Sequence, residues 1–314
     1  MLPQADYFRL MKREALMAAE ETALAPAKVN LSLFIRSRLP DGIHRIESLM
    51  QTVSLTDELR LRWGEPGLSC HCEPALDCLE EENLAYRAAL LFYRAIDKEP
   101  ELSIVLRKKI PQAAGLGGGS ADAAAVLHAL DRRYHRPISC DHMFALAASL
   151  GSDIPFALVG GAAWVRGRGE QVTPLPPLPS ISLVLAKPKE SLSTASVYRA
   201  LLLEEIPTSG RIEPIVQALI QGNWATLART WRNGLFAPAV RLCPVIEEVK
   251  SQLLEAGALG TLLCGSGPTM MGLFADRRHA EKAKERLQGI DLWTQVVTSS
   301  IVSSDSRWRT AANG

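Results

Sequence analysis

The chain has 314 residues, of which 47% are apolar and 22% charged, a composition ordinary for a globular protein of about two domains of roughly 150 residues each. Disordered, collagen-like and coiled-coil classes are therefore excluded. Lysine and arginine together number 35 against 34 aspartates and glutamates, a formal net charge of +1. This balance does not favour a nucleic acid or an anionic membrane as partner, so we expect any anionic ligand to be held by a local arrangement of residues.

The N-terminal segment does not have the pattern of a targeting signal. Residues 1–22 contain Arg9, Lys12 and Arg13 together with four acidic residues, and they lack the apolar centre that a secretory signal requires. The longest stretch without charge, residues 258–275, contains four glycines and one proline; this predicts strand, turn and strand in a core rather than a membrane span. We therefore expect an N-terminal extension over residues 1–22, a cytoplasmic location and no membrane partner.

The six cysteines are not expected to form a disulfide framework, because a chain of this length can bury a sufficient core without one. Cys70, His71, Cys72 and Cys78 lie close together in the sequence. Their C-x-C spacing followed by a lone cysteine lacks the paired C-x-x-C of structural zinc sites. We interpret this segment as a strand and a loop with reduced thiols, and we predict no side chain as a metal ligand.

Hydrophobic periodicity predicts strands and helices in the first half of the chain. Residues 28–35 alternate strictly, with Val29 and Leu31 on the core side of a strand and Lys28, Asn30 and Phe34 on the other side. The further predicted elements are a turn at 40–42, strands up to residue 61, a helix capped by Asn83 and reaching residue 97, a strand at 102–107, and helices at 121–134 and 141–150, the last ending at Gly151.

The second half of the chain continues this mixture after a proline-rich segment. Residues 174–179 hold four prolines, and a stiff connection between domains is favoured there over a P-x-x-P docking peptide. Strands are predicted at 181–186, on both sides of 264–268 and at 293–297, and helices at 196–203, 212–221, 245–256 and 277–287. The fold class is therefore α+β. Its predicted parts are the extension 1–22, an N-terminal domain 23–173, the linker 174–179 and a C-terminal domain 180–305.

The most unusual segment is a glycine-rich loop between a predicted strand and an alanine-rich helix. Residues 115–119 contain four glycines and are followed by Ser120. Glycines let the backbone approach a ligand closely, and the free amides of a helix N-terminus attract phosphate oxygens. A plain glycine-rich turn is the alternative, but the loop, the serine and the helix together favour phosphate binding. The Walker, dinucleotide-binding and protein-kinase spacings are all absent.

Three segments together resemble the motifs of the GHMP small-molecule kinases. Residues 111–125, PQAAGLGGGSADAAA, are similar to the phosphate loop of that family, residues 25–31, APAKVNL, to its opening motif, and residues 264–269, CGSGPT, to its third motif. The motifs occur in the family's order, and the resemblance covers nearly all of the chain after residue 22. It implies a two-domain α+β fold with the active site in the cleft between the domains, the first of which would bind ATP.

The resemblance implies ATP and Mg²⁺ as cofactors and gives two residues a catalytic role. Asp153, in the segment GSDIPF, would take the proton from the substrate hydroxyl, and Lys28 would orient this carboxylate and ease development of the alkoxide. Asp122 is expected to interact with the helix dipole instead. The residues implied to contact ATP are Asn83, Lys108, Pro111, Gly115, Leu116, Gly117, Gly118, Gly119, Ser120 and Ala121. For Asn83 a helix cap, and for Lys108 a solvated charge pair, are the alternatives.

Within the family, the segments PAKVNLSL, DGIH and GSDIPF resemble those of the kinases that act in the non-mevalonate isoprenoid pathway. The substrate of these kinases has a cytosine, a diphosphate and a branched polyol. By resemblance Asn30 and His44 would contact this substrate, with His44 reading the cytosine edge. Tyr198 would stack on the base, and Thr194 lies near it in the sequence. Ile43 departs from the family, which usually has tyrosine there, and losing that ring should weaken base affinity by about 1 kcal/mol.

Two other interpretations are left open by the sequence. The first is a kinase of the same fold that acts on another small alcohol, such as mevalonate, phosphomevalonate or homoserine. The second is a non-catalytic relative that binds nucleotide, although the presence of both Lys28 and Asp153 argues against it. In each case we expect a small-molecule ligand, no nucleic-acid partner, and a monomer or weak homodimer.

Overall fold

The computed structural model describes residues 20–76, 78–206, 210–288, 291–300 and 306–312. Most of the predicted N-terminal extension lies outside these residues. The strands are β1 (Glu20–Arg38), β2 (His44–Trp63), β3 (Gly67–Glu73), β4 (Glu101–Arg107), β5 (Ala162–Gly167), β6 (Gln171–Pro174), β7 (Ser182–Pro188), β8 (Gly260–Leu263), β9 (Met270–Phe274) and β10 (Leu292–Thr298). The helices are α1 (Leu84–Ala95), α2 (Gly118–Arg133), α3 (Cys140–Leu150), α4 (Ile154–Val159), α5 (Thr194–Arg199), α6 (Glu213–Ile220), α7 (Trp224–Thr230), α8 (Phe236–Leu242), α9 (Val245–Glu255), α10 (Arg277–Arg286) and α11 (Ser306–Ala311).

The long hairpin of β1 and β2 organises the first sheet. These strands pair antiparallel from Glu20 opposite Arg62 to Arg38 opposite His44, and the turn between them is closed by a bond from the Leu39 amide to the Ile43 carbonyl (2.7 Å). The other edge of β2 pairs with β4 near its end and with β5 near its start. Strand β3 runs parallel to β4, and β6 follows β5, so one sheet of six strands results.

A β-bulge in β1 corrects the strict alternation predicted for residues 28–35. The register with β2 shifts at three places, and at the one inside this segment Asn30 and Ser32 pair with the adjacent residues Met50 and Leu49. The extra residue of β1 at this bulge changes which side the following side chains face. Phe34, predicted on the polar side, is instead buried in an apolar cluster. Lys28 and Asn30 are also buried, so the polar side of this strand lines an enclosed space rather than open solvent.

Helices α1 to α4 cover the first sheet. Alanines of α1 and α2 pack against each other and against apolar residues of β1, β2 and β4. The predicted cap is confirmed, since the Asn83 side chain accepts a hydrogen bond from the Ala85 amide (2.8 Å). Helix α3 ends at Gly151 as predicted. Helix α2 begins at Gly118, three residues before its predicted start, because glycines of the loop form its first turn.

The second sheet is antiparallel, in the order β10, β7, β9, β8. The strands predicted on both sides of residues 264–268 are confirmed as β8 and β9. Helices α9 and α10 pack on this sheet through Ile246, Val249 and Ala280. The short helices α7 and α8 were not predicted, and the helix predicted at 196–203 is α5, which ends at Arg199.

The two sheets meet along one shared core. Val29 and Leu31 of β1 belong to the same buried cluster as Leu183 and Leu185 of β7. The proline-rich residues 174–179 run from the end of β6 to just before β7, and the domain boundaries drawn there stay a prediction. None of the helices in the described ranges is both long enough and apolar enough to span a membrane.

Candidate active site

The glycine-rich loop lies between β4 and α2 and contacts β1 directly. Gly117 precedes α2 in the left-handed conformation (φ +69°), which glycine adopts without steric cost. The Lys28 amide donates a hydrogen bond to the Leu116 carbonyl (2.9 Å). The side chain of Lys28 passes under the loop, because a Cβ at Gly117 would lie 2.9 Å from its Cγ. The loop is thereby fixed over Lys28, and the first amides of α2 point out of a helix N-terminus.

The turn at residues 264–268 packs against the same loop, backbone on backbone. A Cβ at Gly115 would lie 2.0 Å from the carbonyl oxygen of Cys264, and one at Gly265 would lie 2.9 Å from the carbonyl oxygen of Gly115. Both glycines have positive φ (+75° and +54°). The turn itself is closed by a bond from the Gly267 amide to the Cys264 carbonyl (2.8 Å). The close approach explains why two distant parts of the chain are both rich in glycine.

Asn233 holds this turn in place, and only an Asn-Gly pair marks its position in the sequence. Its Nδ2 donates to the carbonyls of Leu263 (2.8 Å) and Gly265 (2.7 Å), and its Oδ1 accepts from the Leu235 amide (2.8 Å). The side chain is buried. An Asn-Gly pair predicts a turn, whereas the observed role depends on a tertiary contact between two segments.

Lys28 and Asp153 form an ion pair in the cleft. The Nζ of Lys28 lies 3.2 Å from the Oδ2 of Asp153 and also donates to the Oδ1 of Asn30 (2.9 Å). Asn30 in turn donates to the Oγ of Ser48 (2.8 Å) on β2, a partner that the sequence analysis did not identify. Asp153 immediately precedes α4, and its carboxylate makes no capping hydrogen bond with that helix, so it faces the cleft.

Two cavities meet at Asp153. The first has a volume of about 440 Å³ and is lined by the glycine-rich loop, and the second has a volume of about 650 Å³ and is lined by the turn between β1 and β2. Both are lined by Ile46, Ser120, Asp153, Thr194 and Tyr198. A carboxylate at the junction of two cavities can contact ligands bound in both.

Most residues predicted to contact ATP or substrate line the first cavity. Those that do are Lys28, Asn30, Asn83, Lys108, Pro111, Gly115, Leu116, Gly117, Gly118, Gly119, Ser120, Asp153, Thr194 and Tyr198. Ala121 does not, because it is buried in the helix core beneath the loop. The Thr194 Oγ1 is hydrogen-bonded to the Ser266 Oγ (2.9 Å), which joins α5 to the turn at 264–268.

The environments of Lys108 and Asp122 differ from those expected. Both side chains are buried, and the Lys108 Nζ bonds the carboxylates of Asp122 (2.7 Å) and Asp57. Lys108 is therefore not a solvated charge, and Asp122 bonds a lysine rather than interacting only with the helix dipole. Burial raises the pKa of Asp122 to about 7, with Lys108 acting in the opposite direction. Asp57, which the sequence analysis missed, is fully buried and accepts from the amides of Lys109 and Ile110.

The second cavity contains His44 and Tyr198, the two side chains that the resemblance implies for contact with the cytosine. The rings of His44 and Tyr198 stack with centroids 5.3 Å apart and an interplanar angle of 29°. Burial, and then the charge of Arg38, lower the pKa of His44, which favours the neutral imidazole. Burial, and then the charge of Asp153, raise the pKa of Tyr198. Ile43 lines the same cavity and is 45% exposed.

The cysteine segment is built as a buried strand and a loop. Cys70 and Cys72 lie in β3, and burial raises the pKa of both thiols. Cys78 is exposed at the edge of the first cavity. Over the described part of the chain, no group of three or more histidine, cysteine, aspartate or glutamate side chains is arranged to hold a metal ion.

Comparisons with known proteins agree with the motifs. The model of the GHMP kinases N terminal domain matches residues 83–161, and that of the GHMP kinases C terminal domain matches residues 215–290. The 4-diphosphocytidyl-2-C-methyl-D-erythritol kinase of Pelotomaculum thermopropionicum is 44% identical over 271 residues, which are 86% of this chain and 94% of that protein.

Solved structures are similar over the same extent. A crystal structure of 4-(cytidine 5'-diphospho)-2C-methyl-D-erythritol kinase superposes with a TM-score of 0.77 at 38% identity and covers 89% of this chain and all of that chain. The homoserine kinase of Cytophaga hutchinsonii has a TM-score of 0.71 at 22% identity, over 90% of this chain and 95% of its own, and thus shares the fold. The chain belongs to the GHMP kinase family. It is a kinase, with the two-domain α+β fold that its three motifs imply.

Proposed function

We propose that the chain is an ATP-dependent kinase that phosphorylates the 2-hydroxyl of 4-diphosphocytidyl-2-C-methyl-D-erythritol, a substrate of the non-mevalonate isoprenoid pathway. The observation that carries the proposal is the Lys28–Asp153 ion pair at the junction of the two cavities. Relatives named 4-diphosphocytidyl-2-C-methyl-D-erythritol kinase are 35–44% identical to this chain over 86–88% of its length. This similarity supports the choice of substrate.

Asp153 is the proposed general base. Its carboxylate takes the proton of the substrate hydroxyl as the hydroxyl oxygen bonds to the γ-phosphorus of ATP, and the bond from that phosphorus to the bridging oxygen breaks to release ADP. Lys28 orients the carboxylate through the 3.2 Å contact and places a positive charge beside the developing alkoxide. Asn30 and Ser48 fix the Lys28 ammonium through the chain of hydrogen bonds described above.

The first cavity is the proposed ATP site. The amides of residues 117–120 point out of the α2 N-terminus and suit phosphate oxygens. Mg²⁺ bound to phosphates needs only one or two protein oxygens. Ser120 and Asp122 line this cavity, and among the residues that the structure describes the buried Oδ1 of Asp122 has no hydrogen-bond partner. These two residues fit the cation that ATP brings. When bound, Mg²⁺ would neutralise charge on the phosphates.

The second cavity is the proposed site of the cytosine. A neutral His44 has one ring nitrogen that donates and one that accepts, which matches a cytosine edge that carries both an amino group and acceptors. Tyr198 supplies an aromatic face for stacking and is already stacked with His44. Thr194 lines both cavities and Asn30 lines the first one beside Asp153, where the polyol would reach the carboxylate.

Release of ADP by the purified chain with MgATP tests the proposal. The acceptors 4-diphosphocytidyl-2-C-methyl-D-erythritol, mevalonate, phosphomevalonate and homoserine would be offered in separate reactions. We expect turnover with the cytidyl acceptor alone. Turnover with another alcohol would move the chain to a different substrate within its family. Tight ATP binding without turnover on any acceptor would favour a non-catalytic nucleotide binder.

A further inference from the structure

The C-terminal helix α11 packs on the helices that cover the first sheet, although it follows the last strand of the second sheet. Trp308 is buried and belongs to the apolar cluster of the first sheet. Its ring makes edge contacts with the rings of His128 of α2 (centroids 5.5 Å apart) and Phe144 of α3 (6.3 Å). The Arg307 guanidinium pairs with Asp131, a buried carboxylate of α2. Helix α11 is therefore fixed to α2 by an aromatic contact and by an ion pair.

Arg309, which follows Trp308 in this helix, holds the C-terminal end of α4. Its guanidinium donates hydrogen bonds to the carbonyls of Gly160 (3.0 Å), the residue that caps α4, and of Leu175 (2.5 Å), the residue after β6. Gly161 has positive φ (+68°), and a Cβ there would lie 2.4 Å from the Arg309 Nη1. Glycine at this position thus makes room for the guanidinium beside the end of the helix.

Helix α4 carries Asp153 at its opposite end. The helix has six residues, or about 9 Å at the usual rise of an α-helix, and it begins directly after Asp153. Its Leu158 carbonyl is hydrogen-bonded to the His128 Nε2 (3.0 Å), so α2 and α11 hold the same end of α4. Because so short a helix moves as one packed body, a displacement of its C-terminal end is transmitted to Asp153.

We propose that α11 fixes the position of Asp153 relative to the glycine-rich loop, with Arg309 as the positioning residue. Helix α2 presents the loop at its N-terminal end and is bound further along by Trp308 and Arg307. Helix α4 follows Asp153 and is bound at its C-terminal end by Arg309. The inference rests on the proposed function, because Asp153 is the proposed general base. Arg309 lines neither of the two cavities, so it acts through α4 and not on a ligand.

Turnover of Arg309→Gln with MgATP and 4-diphosphocytidyl-2-C-methyl-D-erythritol tests the inference in two backgrounds. In the wild-type background we expect kcat to fall at least about tenfold and KM for MgATP to stay within about twofold, because a misplaced catalytic group slows the chemical step. In the Asp153→Asn background the residual kcat should change by less than about twofold, since no base remains to be misplaced. Arg309→Lys, which can still donate to a carbonyl, should recover part of the loss.

Amide hydrogen exchange of residues 157–160 gives a readout that does not depend on activity. Loss of the Arg309 hydrogen bonds should make these amides of α4 exchange at least about threefold faster. The matched control is Arg286→Gln, because Arg286 donates to the carbonyl of Ala256 (3.5 Å) at the end of α9, which packs on the second sheet. We expect this control to leave both kcat and the exchange in α4 unchanged.

Three results would overturn the inference. They are an unchanged kcat in Arg309→Gln, a kcat that falls by the same factor with and without Asp153, and unchanged exchange in α4. The second of these results would show a general structural defect rather than the positioning of one group. A wild-type chain that turns over none of the acceptors would contradict the proposed function instead, and the exchange in α4 would then decide alone whether Arg309 fixes this helix.

Discussion

The Lys28 ammonium lies 3.2 Å from the Asp153 Oδ2, although the two residues come from a strand and from a helix start far apart in the sequence. This contact exists because β1 passes under the glycine-rich loop and α4 begins beside it. The Asp153 carboxylate makes no capping hydrogen bond with α4, so it is free to be oriented by its contact with Lys28.

Asp153→Asn should lower kcat by about a hundredfold or more, since loss of a general base has effects of this size. The affinity for MgATP should change little, because the loop amides that hold the phosphates are untouched. Steady-state ADP release and calorimetric titration with ATP measure the two quantities. Asp141→Asn, an exposed carboxylate in the first turn of α3, is the matched control. Turnover close to that of the wild type would remove Asp153 from the mechanism.

Gly115→Ala should weaken the affinity for nucleotide at least tenfold. The new Cβ would lie 2.0 Å from the Cys264 carbonyl oxygen, so either the glycine-rich loop or the turn at residues 264–268 must move. Gly257→Ala is the control that separates the effect of this steric overlap from the effect of placing alanine at a positive φ. Gly257 also has positive φ (+100°), but a Cβ there meets nothing within 4 Å. We expect the control to lose only about 1 kcal/mol of stability and to bind nucleotide normally. Equal nucleotide affinity in both variants would contradict the interlocked arrangement.

Ile43→Tyr should strengthen cytidine binding by about fivefold, which corresponds to about 1 kcal/mol from an added aromatic contact. Ile43 lines the second cavity and is 45% exposed, so a larger ring has room to turn towards the base. Ile220→Tyr, at a similarly exposed isoleucine of α6 (52%), controls for a general effect of tyrosine. Unchanged or weaker cytidine binding by Ile43→Tyr would show that the cytosine does not contact residue 43.

His44 should titrate below the ordinary histidine pKa of about 6.5, because burial and Arg38 both disfavour its charged form. The folded state favours neutral His44, and this contribution to the free energy of unfolding is fully present above the pKa of His44 in the unfolded chain. It is lost as the pH falls through the lower pKa of His44 in the folded chain. NMR of the imidazole protons measures the midpoint directly. In Arg38→Gln the midpoint should rise without reaching the ordinary value, since burial remains. A midpoint that stays fixed would place Arg38 away from the imidazole.

Local sequence rules predicted the parts of the site that depend on neighbours along the chain. Asn83 as a cap, the glycine-rich turn before α2 and the strand pair around residues 264–268 were all recognisable because backbone conformation there depends on residue type. The resemblance to GHMP kinases supplied Lys28 and Asp153, which the ion pair brings together.

Features set by tertiary contacts were not recognisable in the sequence. Nothing near Asp57 or Asn233 indicates that each would bond the backbone of a distant segment. The bulge of β1 between Asn30 and Ser32 cannot be recognised from the alternating apolar residues in the sequence, yet it changes which core Phe34 joins. Helices α7 and α8 have seven residues each, too few turns for periodicity to separate them from loops.

Asp57→Asn tests the buried network beneath the phosphate loop. The asparagine oxygen can still accept from the Lys109 and Ile110 amides, but the negative charge facing Lys108 is lost. We expect the free energy of unfolding to fall by about 1–3 kcal/mol, less than for a fully broken buried pair because Asp122 still bonds Lys108. Urea unfolding measures this loss, and the exposed variant Asp276→Asn provides the control.

The pH dependence of the same variant distinguishes a charge effect from a packing defect. The pKa of Asp122 is raised to about 7, chiefly by burial and further by the charge of Asp57. An acid with a raised folded pKa binds more protons when folded, so its contribution to stability falls as the pH rises from about 4 to 7, by at most about 1.4 kcal/mol per pH unit. Without the charge of Asp57 the pKa of Asp122 drops, and this fall should become shallower. An unchanged slope would show that Asp57 and Asp122 do not interact through charge.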